Sequence, residues 1–205
     1  MSIFFTADLH LGHKNIIRYC GRPFSSVEDM DATIIKNWNA KVTSNDLVYI
    51  IGDFAFGQRE QVLGYIQKLN GKKILIDGNH DNIGQPKNYG FIEKWPIREI
   101  KIEGQHITLS HYAMRVWNKS HFDSWMLYGH SHGTLEPQGK SWDVGVDYNN
   151  FEPLSFEEIK KIMESRPHNF NWIERRRRPQ AFCPAFFLPG YNPEEFEQAR
   201  SVEMS

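Results

Sequence analysis

Cysteine is scarce: Cys20 and Cys183 are the only two in 205 residues. Two thiols make neither a disulfide framework nor a cysteine-rich zinc site, and they suit a reduced, intracellular protein. Long apolar runs are missing too. No stretch approaches the ~18 residues of a membrane span. The opening Met1-Ser2-Ile3-Phe4-Phe5-Thr6-Ala7-Asp8 has no basic leader, and its apolar run stops at Asp8, too short for a signal peptide. The expectation is a soluble, cytoplasmic protein. Nor does one sign of charge dominate. With 24 Lys and Arg against 25 Asp and Glu the net charge is −1, so a chain-wide surface for nucleic acid is not indicated. The conspicuous surplus is histidine, nine residues, most of them beside Asp, Asn or Gly.

The histidines fall at the ends of apolar runs. Ile3 to Thr6 reads as a strand buried on both faces, and Asp8-Leu9-His10 follows it, then Gly12-His13. On extended backbone Asp8 and His10 point to one side, half of a metal site. Ser25-Ser26-Val27-Glu28-Asp29 opens a helix over 26–41, with Met30, Ile34 and Trp38 on its core face. Leu47 to Ile51 is a second buried strand, ending in Gly52-Asp53-Phe54. A helix from Arg59 to Leu69, closed by Gly71, leads to a strand at Lys73 to Asp77. That strand carries Gly78-Asn79-His80-Asp81, three polar side chains at a carboxyl end, where open α/β sheets place their ligands. Strand, helix and strand in alternation predict parallel βαβ units.

From Pro96 the pattern changes to an antiparallel hairpin, 97–102 with 106–110, that ends in His111-Tyr112. Trp125 to Tyr128 is a further strand, running into Gly129-His130-Ser131-His132-Gly133, where two imidazoles on extended backbone can face one point. Trp142 to Val146 is the next strand, and Asp147 just past it reads as structural. Ser155-Phe156-Glu157-Glu158 is a capping box that opens a helix to about Glu164. The domain is expected over 1–165. Residues 166–205 read as a Pro- and aromatic-rich extension packed on it through Phe182, Phe186 and Phe187. Its run Arg175-Arg176-Arg177-Arg178 is a local basic patch, read first as a solvated turn and second as a nucleic-acid or partner contact.

Five strand ends thus offer seven nitrogen or oxygen ligands: Asp8, His10, Asp53, Asn79, His111, His130 and His132. One divalent ion rarely needs more than six, and a carboxylate such as Asp53 can bridge two ions. The donor set, without thiolate, suits Mn²⁺, Fe or Zn²⁺ and argues against Ca²⁺ alone. Two ions ~3.5–4 Å apart are a standard device for in-line displacement at phosphorus, with a bridging water that deprotonates at neutral pH.

The order of blocks, Asp8-x-His10, Gly52-Asp53, Gly78-Asn79-His80-Asp81, His111 and Gly129-His130-Ser131-His132, resembles the calcineurin-like metallophosphoesterase family over residues 3 to about 147. The look is that of its short prokaryotic and phage members, described only as predicted phosphoesterases. The resemblance implies an αββα fold, two mixed β-sheets flanked by helices. It implies one metal on Asp8, His10, Asp53 and His132, and a second on Asp53, Asn79, His111 and His130. His80 is then the proton donor to the leaving oxygen, and Asp81 orients it. Mn²⁺ is the first choice of metal, with Fe, Zn²⁺ or Ni²⁺ as alternatives. His106 and His121 are rivals to His111. His13 departs from the minimal pattern and is either a substrate contact or a supporting or surface histidine. Of the nearby cations, Lys14 and Arg18 suit a solvated face equally well, and Arg22 is a candidate for holding a substrate phosphate.

The short spacers leave little room for a cap domain, so the first expectation is a phosphodiesterase acting on a small or cyclic nucleotide-like ester. A phosphomonoesterase, a nuclease using the arginine run, and a non-catalytic metal-binding scaffold are the alternatives. Intact His80 and Asp81 count against the scaffold. A neighbouring subunit could supply a cap.

Overall fold

In chain order the elements are β1 (Ile3–Thr6), α1 (Lys14–Tyr19), α2 (Val27–Lys41), β2 (Leu47–Ile51), α3 (Arg59–Lys68), β3 (Lys72–Ile76), β4 (Glu93–Trp95), β5 (Ile97–Ile102), β6 (Gln105–Ser110), β7 (Trp125–Tyr128), β8 (Ser141–Asp143), β9 (Leu154–Ser155) and α4 (Phe156–Ser165). The structure, a computed structural model, describes residues 1–81 and 83–174.

The strands form two sheets, ordered β4-β3-β2-β1-β9 and β5-β6-β7-β8. In the first, β1 to β4 are parallel and β9 runs antiparallel to β1. Period-two side-chain direction explains the unbroken apolar runs. Phe4, Val48, Ile50 and Leu75 face Met30, Ile34 and Trp38 of α2 and Val62 and Ile66 of α3. Their neighbours Phe5, Tyr49, Ile51, Ile74 and Ile76 turn the other way, against Ile107 and Leu109 of β6, Leu127 of β7 and Val144, with α4 adding Ile159 and Met163. The central strands β1, β2 and β3 are covered on both faces, so their apolar runs give way to polar ligands at their carboxyl ends. This is the αββα architecture expected from the sequence, with two mixed sheets flanked by helices.

The second sheet is mixed in a way the hairpin pattern does not announce. β5 and β6 are antiparallel, but β6, β7 and β8 are parallel. Long irregular connections stand where crossover helices do in the first half, so helical periodicity gives no signal of parallel pairing. The consequence is functional. The carboxyl ends of β1, β2, β3, β6 and β7 come to one rim. Ala7 joins the sheets there, bridging to Gly145 through Ala7 N–H to Val144 O at 3.1 Å and Val146 N–H to Ala7 O at 3.1 Å.

Local chemistry sets the helix ends. Ser26 Oγ accepts the Asp29 N–H at 3.1 Å, and Ser155 and Glu158 form a reciprocal cap on α4. Lys41 at the end of α2 reaches Glu158 at 2.8 Å, tying the two helices together. Gly71 does not stop α3 as expected. The helix ends at Leu69 in extended backbone, and Gly71, at φ +83°, makes the turn into β3. The six-residue α1 falls where no helix is expected from the sequence. It buries only Ile16 and has no side-chain cap, so it carries no readable period.

The compact unit is Met1–Trp172, which continues past the expected boundary at 165. Arg166 Nε donates to Gly139 O at 2.6 Å, and Asn169 Nδ2 donates to Ser120 O at 2.9 Å and Ser124 O at 3.1 Å. The Arg175–Arg178 run and Phe182, Phe186 and Phe187 lie outside the described residues. No helix among the described residues is long and apolar enough to cross a membrane.

Candidate metal centre

Two groups of ligand atoms form at the common rim, Asp8 with His10 and His132, and Asp53 with His111 and His130. They are brought together by loops that zip to one another rather than by regular sheet. Asp8 N–H donates to Gly52 O and His10 N–H to Asp53 O, both at 3.0 Å, holding the loop after β1 against the loop after β2. His130 N–H donates to Asp8 Oδ2 at 2.9 Å, which fixes the loop after β7 to the same carboxylate.

The backbone under these ligands differs from the extended conformation expected from the Asp-x-His and His-x-His spacings. Asp8 (φ +57°), His10 (+51°), Asp53 (+55°), His130 (+68°) and His132 (+47°) are all left-handed, five of the ten such non-glycine residues among the described ones. That conformation is costly for L-residues and persists only where surrounding contacts enforce it. It also separates His130 from His132. Instead of facing one point, they serve different groups. Glycine provides the clearance. A Cβ on Gly78 would lie 2.2 Å from Asp53 Oδ1, and one on Gly52 would lie 2.2 Å from His111 Nδ1.

The two groups meet at Asp53. Its Oδ2 lies 3.4 Å from His10 Nε2 and 3.5 Å from His111 Nε2. Asn79 Oδ1 is 3.0 Å from the same His111 nitrogen. His111 Nδ1 points at Ile51 O, 2.9 Å away. A carbonyl only accepts, so Nδ1 carries hydrogen and Nε2 is the atom turned toward Asp53 and Asn79. The rivals of His111 lie elsewhere: His106 Nε2 meets Lys119 Nζ at 3.0 Å, and the His121 ring packs on Phe122.

The donor set fits a pair of cations. Both ring nitrogens of His10 are buried without a hydrogen-bond partner. Burial holds its imidazole far below the usual histidine range, at about 3, so it is a neutral donor. Burial also pushes the Asp8 carboxyl up to about 7, against the attraction of His132 and His111. Asp53 goes the other way, down to about 2. Burial opposes that, but His111, the His80 N–H and His10 outweigh it. Buried carboxylates beside an unpartnered imidazole are the environment a divalent ion relieves. A third group, Cys20, His132 and Asp147, is different. Burial raises the Cys20 thiol to about 11, and Asp147 is already paired.

The supporting residues depart from two expectations. Arg22 does not face substrate. Only 5% exposed, it donates from Nε and Nη2 to Asp147 at 2.7 and 2.8 Å, from Nη2 to Asp8 O at 2.7 Å, and from Nη1 to Leu9 O at 3.0 Å. Its planar fork is fully engaged inside the loop it stabilises. Asp147 in turn accepts from His132 Nδ1 at 2.7 Å, which turns His132 Nε2 toward Asp8, an arrangement common behind metal-binding histidines.

The second departure concerns Asp81. Its carboxylate makes no contact with the His80 ring and instead accepts the N–H groups of Asp53, Phe54 and Gly78 at 2.8, 2.9 and 2.9 Å. It clamps the loops after β2 and β3. The exposed His80 ring packs beside His10 at 5.4 Å and Phe56 at 5.5 Å, while its backbone N–H donates to Asp53 Oδ1 at 2.9 Å. His13 lies stacked on Phe56 at 4.2 Å, within the same ring cluster.

Sequence reasoning passed over two further carboxylates. Asp143 accepts from Ser131 Oγ, Gly133 N–H and Gly145 N–H, shaping the His130–His132 loop. Asp31, inside α2, accepts Gly12 N–H at 3.0 Å and the Tyr65 hydroxyl at 2.7 Å. Only the polar position of Asp31 on an otherwise apolar helix face could have signalled it.

An uncharacterized protein of Methanocaldococcus jannaschii is 34% identical over 171 residues, covering 79% of this chain and 91% of that protein. The gene 66 protein of Mycobacterium phage L5 is 41% identical over 80 residues, 38% of each chain. Among solved structures, a protein of unknown function from Aquifex aeolicus superposes with a TM-score of 0.63 at 25% identity, covering 78% of this chain and 98% of that one. The family model for calcineurin-like phosphoesterases matches residues 1–199, and the chain belongs to that family.

Proposed function

We propose that the protein hydrolyses a small phosphodiester, with two divalent cations held by Asp8, His10, Asp53 and His132 and by Asp53, Asn79, His111 and His130. The observation that carries this reading is Asp53 Oδ2, a single carboxylate oxygen within 3.5 Å of one imidazole from each group. When bound there, the cations neutralise the phosphate oxygens and acidify water. Mn²⁺ is the first candidate, since the donors are imidazole, carboxylate and amide oxygen without thiolate.

The chain's own residues do the rest. Asp53 and Asn79 project from loops locked together by Asp81, so the ligand set is preorganised. Hydrolysis forms a P–O bond to water and breaks the P–O bond to the leaving group, whose oxygen needs a proton. His80, exposed at the rim beside His10, delivers it, a contribution of order 10²–10⁴ in rate. Charge favours a diester in this reading. The Arg22 guanidinium is committed to Asp147 and does not meet the second negative charge of a monoester.

The test is hydrolysis of a chromogenic phosphodiester beside the matching monoester by protein stripped with chelator and resupplied with Mn²⁺, Zn²⁺, Mg²⁺ or nothing. Mn²⁺-dependent cleavage favouring the diester, lost in Asp53→Asn, is expected. Faster monoester cleavage overturns the diester preference. Silence on both with metal bound favours a scaffold.

A further inference from the structure

Beside the ligand cluster lies a cavity of about 230 Å³ lined by Phe56, Arg59, Val62, Ile83, Tyr89 and His80. His80 therefore belongs both to this cavity and to the rim of the metal centre. Val62 and Ile83 make an apolar, buried floor. Phe56 is unlike them. Its ring lies parallel to that of His13, 14° between planes, yet 41% of the residue remains exposed. At the mouth the Arg59 guanidinium sits 5.9 Å over the Tyr89 ring and donates to Asn88 O at 3.3 Å, and its other N–H groups have no acceptor among the described residues.

We propose that this cavity receives the leaving group of the ester and selects a planar aromatic one, a single aryl or heterocyclic ring system with acceptor atoms toward Arg59. The proposal rests on the hydrolase reading above. If His80 protonates the departing oxygen, the group bonded to that oxygen sits beside His80, and the cavity is the lined space there. Size restricts the occupant. An engineered apolar cavity of about 150 Å³ takes benzene, and pockets for drug-sized ligands start near ~300 Å³. The volume here suits one ring system. Chemistry restricts it further, because Phe56 and Tyr89 offer ring surface that a planar group can cover and an alkyl chain covers poorly. His13 enters as the brace behind Phe56.

The experiment compares methyl 1-naphthyl phosphate with methyl butyl phosphate. Binding to the metal-stripped full-length chain is measured by ligand-observed NMR titration, and hydrolysis with Mn²⁺ is measured separately. The naphthyl ester is expected to bind about tenfold more tightly, and Phe56→Leu and Tyr89→Ala are each expected to remove most of that preference. Equal binding of the two esters to the unaltered protein overturns the pocket assignment, whatever hydrolysis shows. A preference that survives in both variants overturns it as well, placing the aromatic site elsewhere. A preference that depends on Phe56, with neither ester hydrolysed with Mn²⁺ or, in parallel assays, with Zn²⁺ or Mg²⁺, leaves the pocket standing and overturns the hydrolase reading instead.

Discussion

The Asp81 carboxylate accepts the Asp53 N–H at 2.8 Å, so the residue after His80 holds the loop that presents the central ligand. This gives Asp81 the part of a clamp between the loops after β2 and β3 rather than that of a partner for the His80 ring. Asp81→Asn keeps one acceptor oxygen and places an amide against the remaining N–H. The expected outcome is a 10–100-fold loss of metal affinity by calorimetric titration, the size typical of supporting groups, with about 1–3 kcal/mol lost in stability.

His80→Ala separates the two roles. Its ring makes no hydrogen bond to Asp81 and lies outside both ligand groups. Metal affinity by the same titration is expected to stay within twofold, while kcat for the diester falls ~10²–10⁴-fold. A parallel fall in metal affinity would sink the proton-donor assignment.

Arg22 is buried against Asp147, and its removal leaves that carboxylate with His132 as its remaining side-chain partner. Arg22→Met is expected to destabilise by ~3–5 kcal/mol, read as a lower midpoint in urea at unchanged slope. Arg22→Lys is expected to recover little, because an ammonium cannot reproduce the fork that spans Asp147 and two carbonyls.

Asp46 governs part of the acid limb. The Thr43 hydroxyl at 2.7 Å and the Ser2 and Thr43 N–H groups at 2.6 and 2.9 Å hold its carboxyl down at about 2. A depressed folded value contributes stability above the unfolded value near 3.8, lost as pH falls toward 2. In Asp46→Asn the melting temperature is expected to be lower than the parent's at pH 6, with the gap narrowing between pH 4 and 2.

Cation binding should also appear as stability. At 100 times Kd a ligand specific for the folded state adds about 2.7 kcal/mol, or ~5–10 °C in Tm for a domain of this size. Thermal melts of chelated protein with and without Mn²⁺ check this, and Asp53→Asn should lose most of the shift.

The sequence alone determined the buried strands of the first sheet and the candidate ligands. Continuous apolar runs mark strands covered on both faces, and polar residues clustered at their ends have nowhere to sit but a rim. That is why Asp8, His10, Asp53, Asn79, His111, His130 and His132 could be read as candidates without coordinates. Tertiary structure decided what joins those loops. Left-handed backbone divides His130 from His132, Asp147 draws Arg22 inward from 125 residues away, and Asp81 reaches back to Asp53. Those partners are chosen by contacts between segments distant in sequence, and local periodicity and spacing carry no record of which carboxylate will accept which N–H.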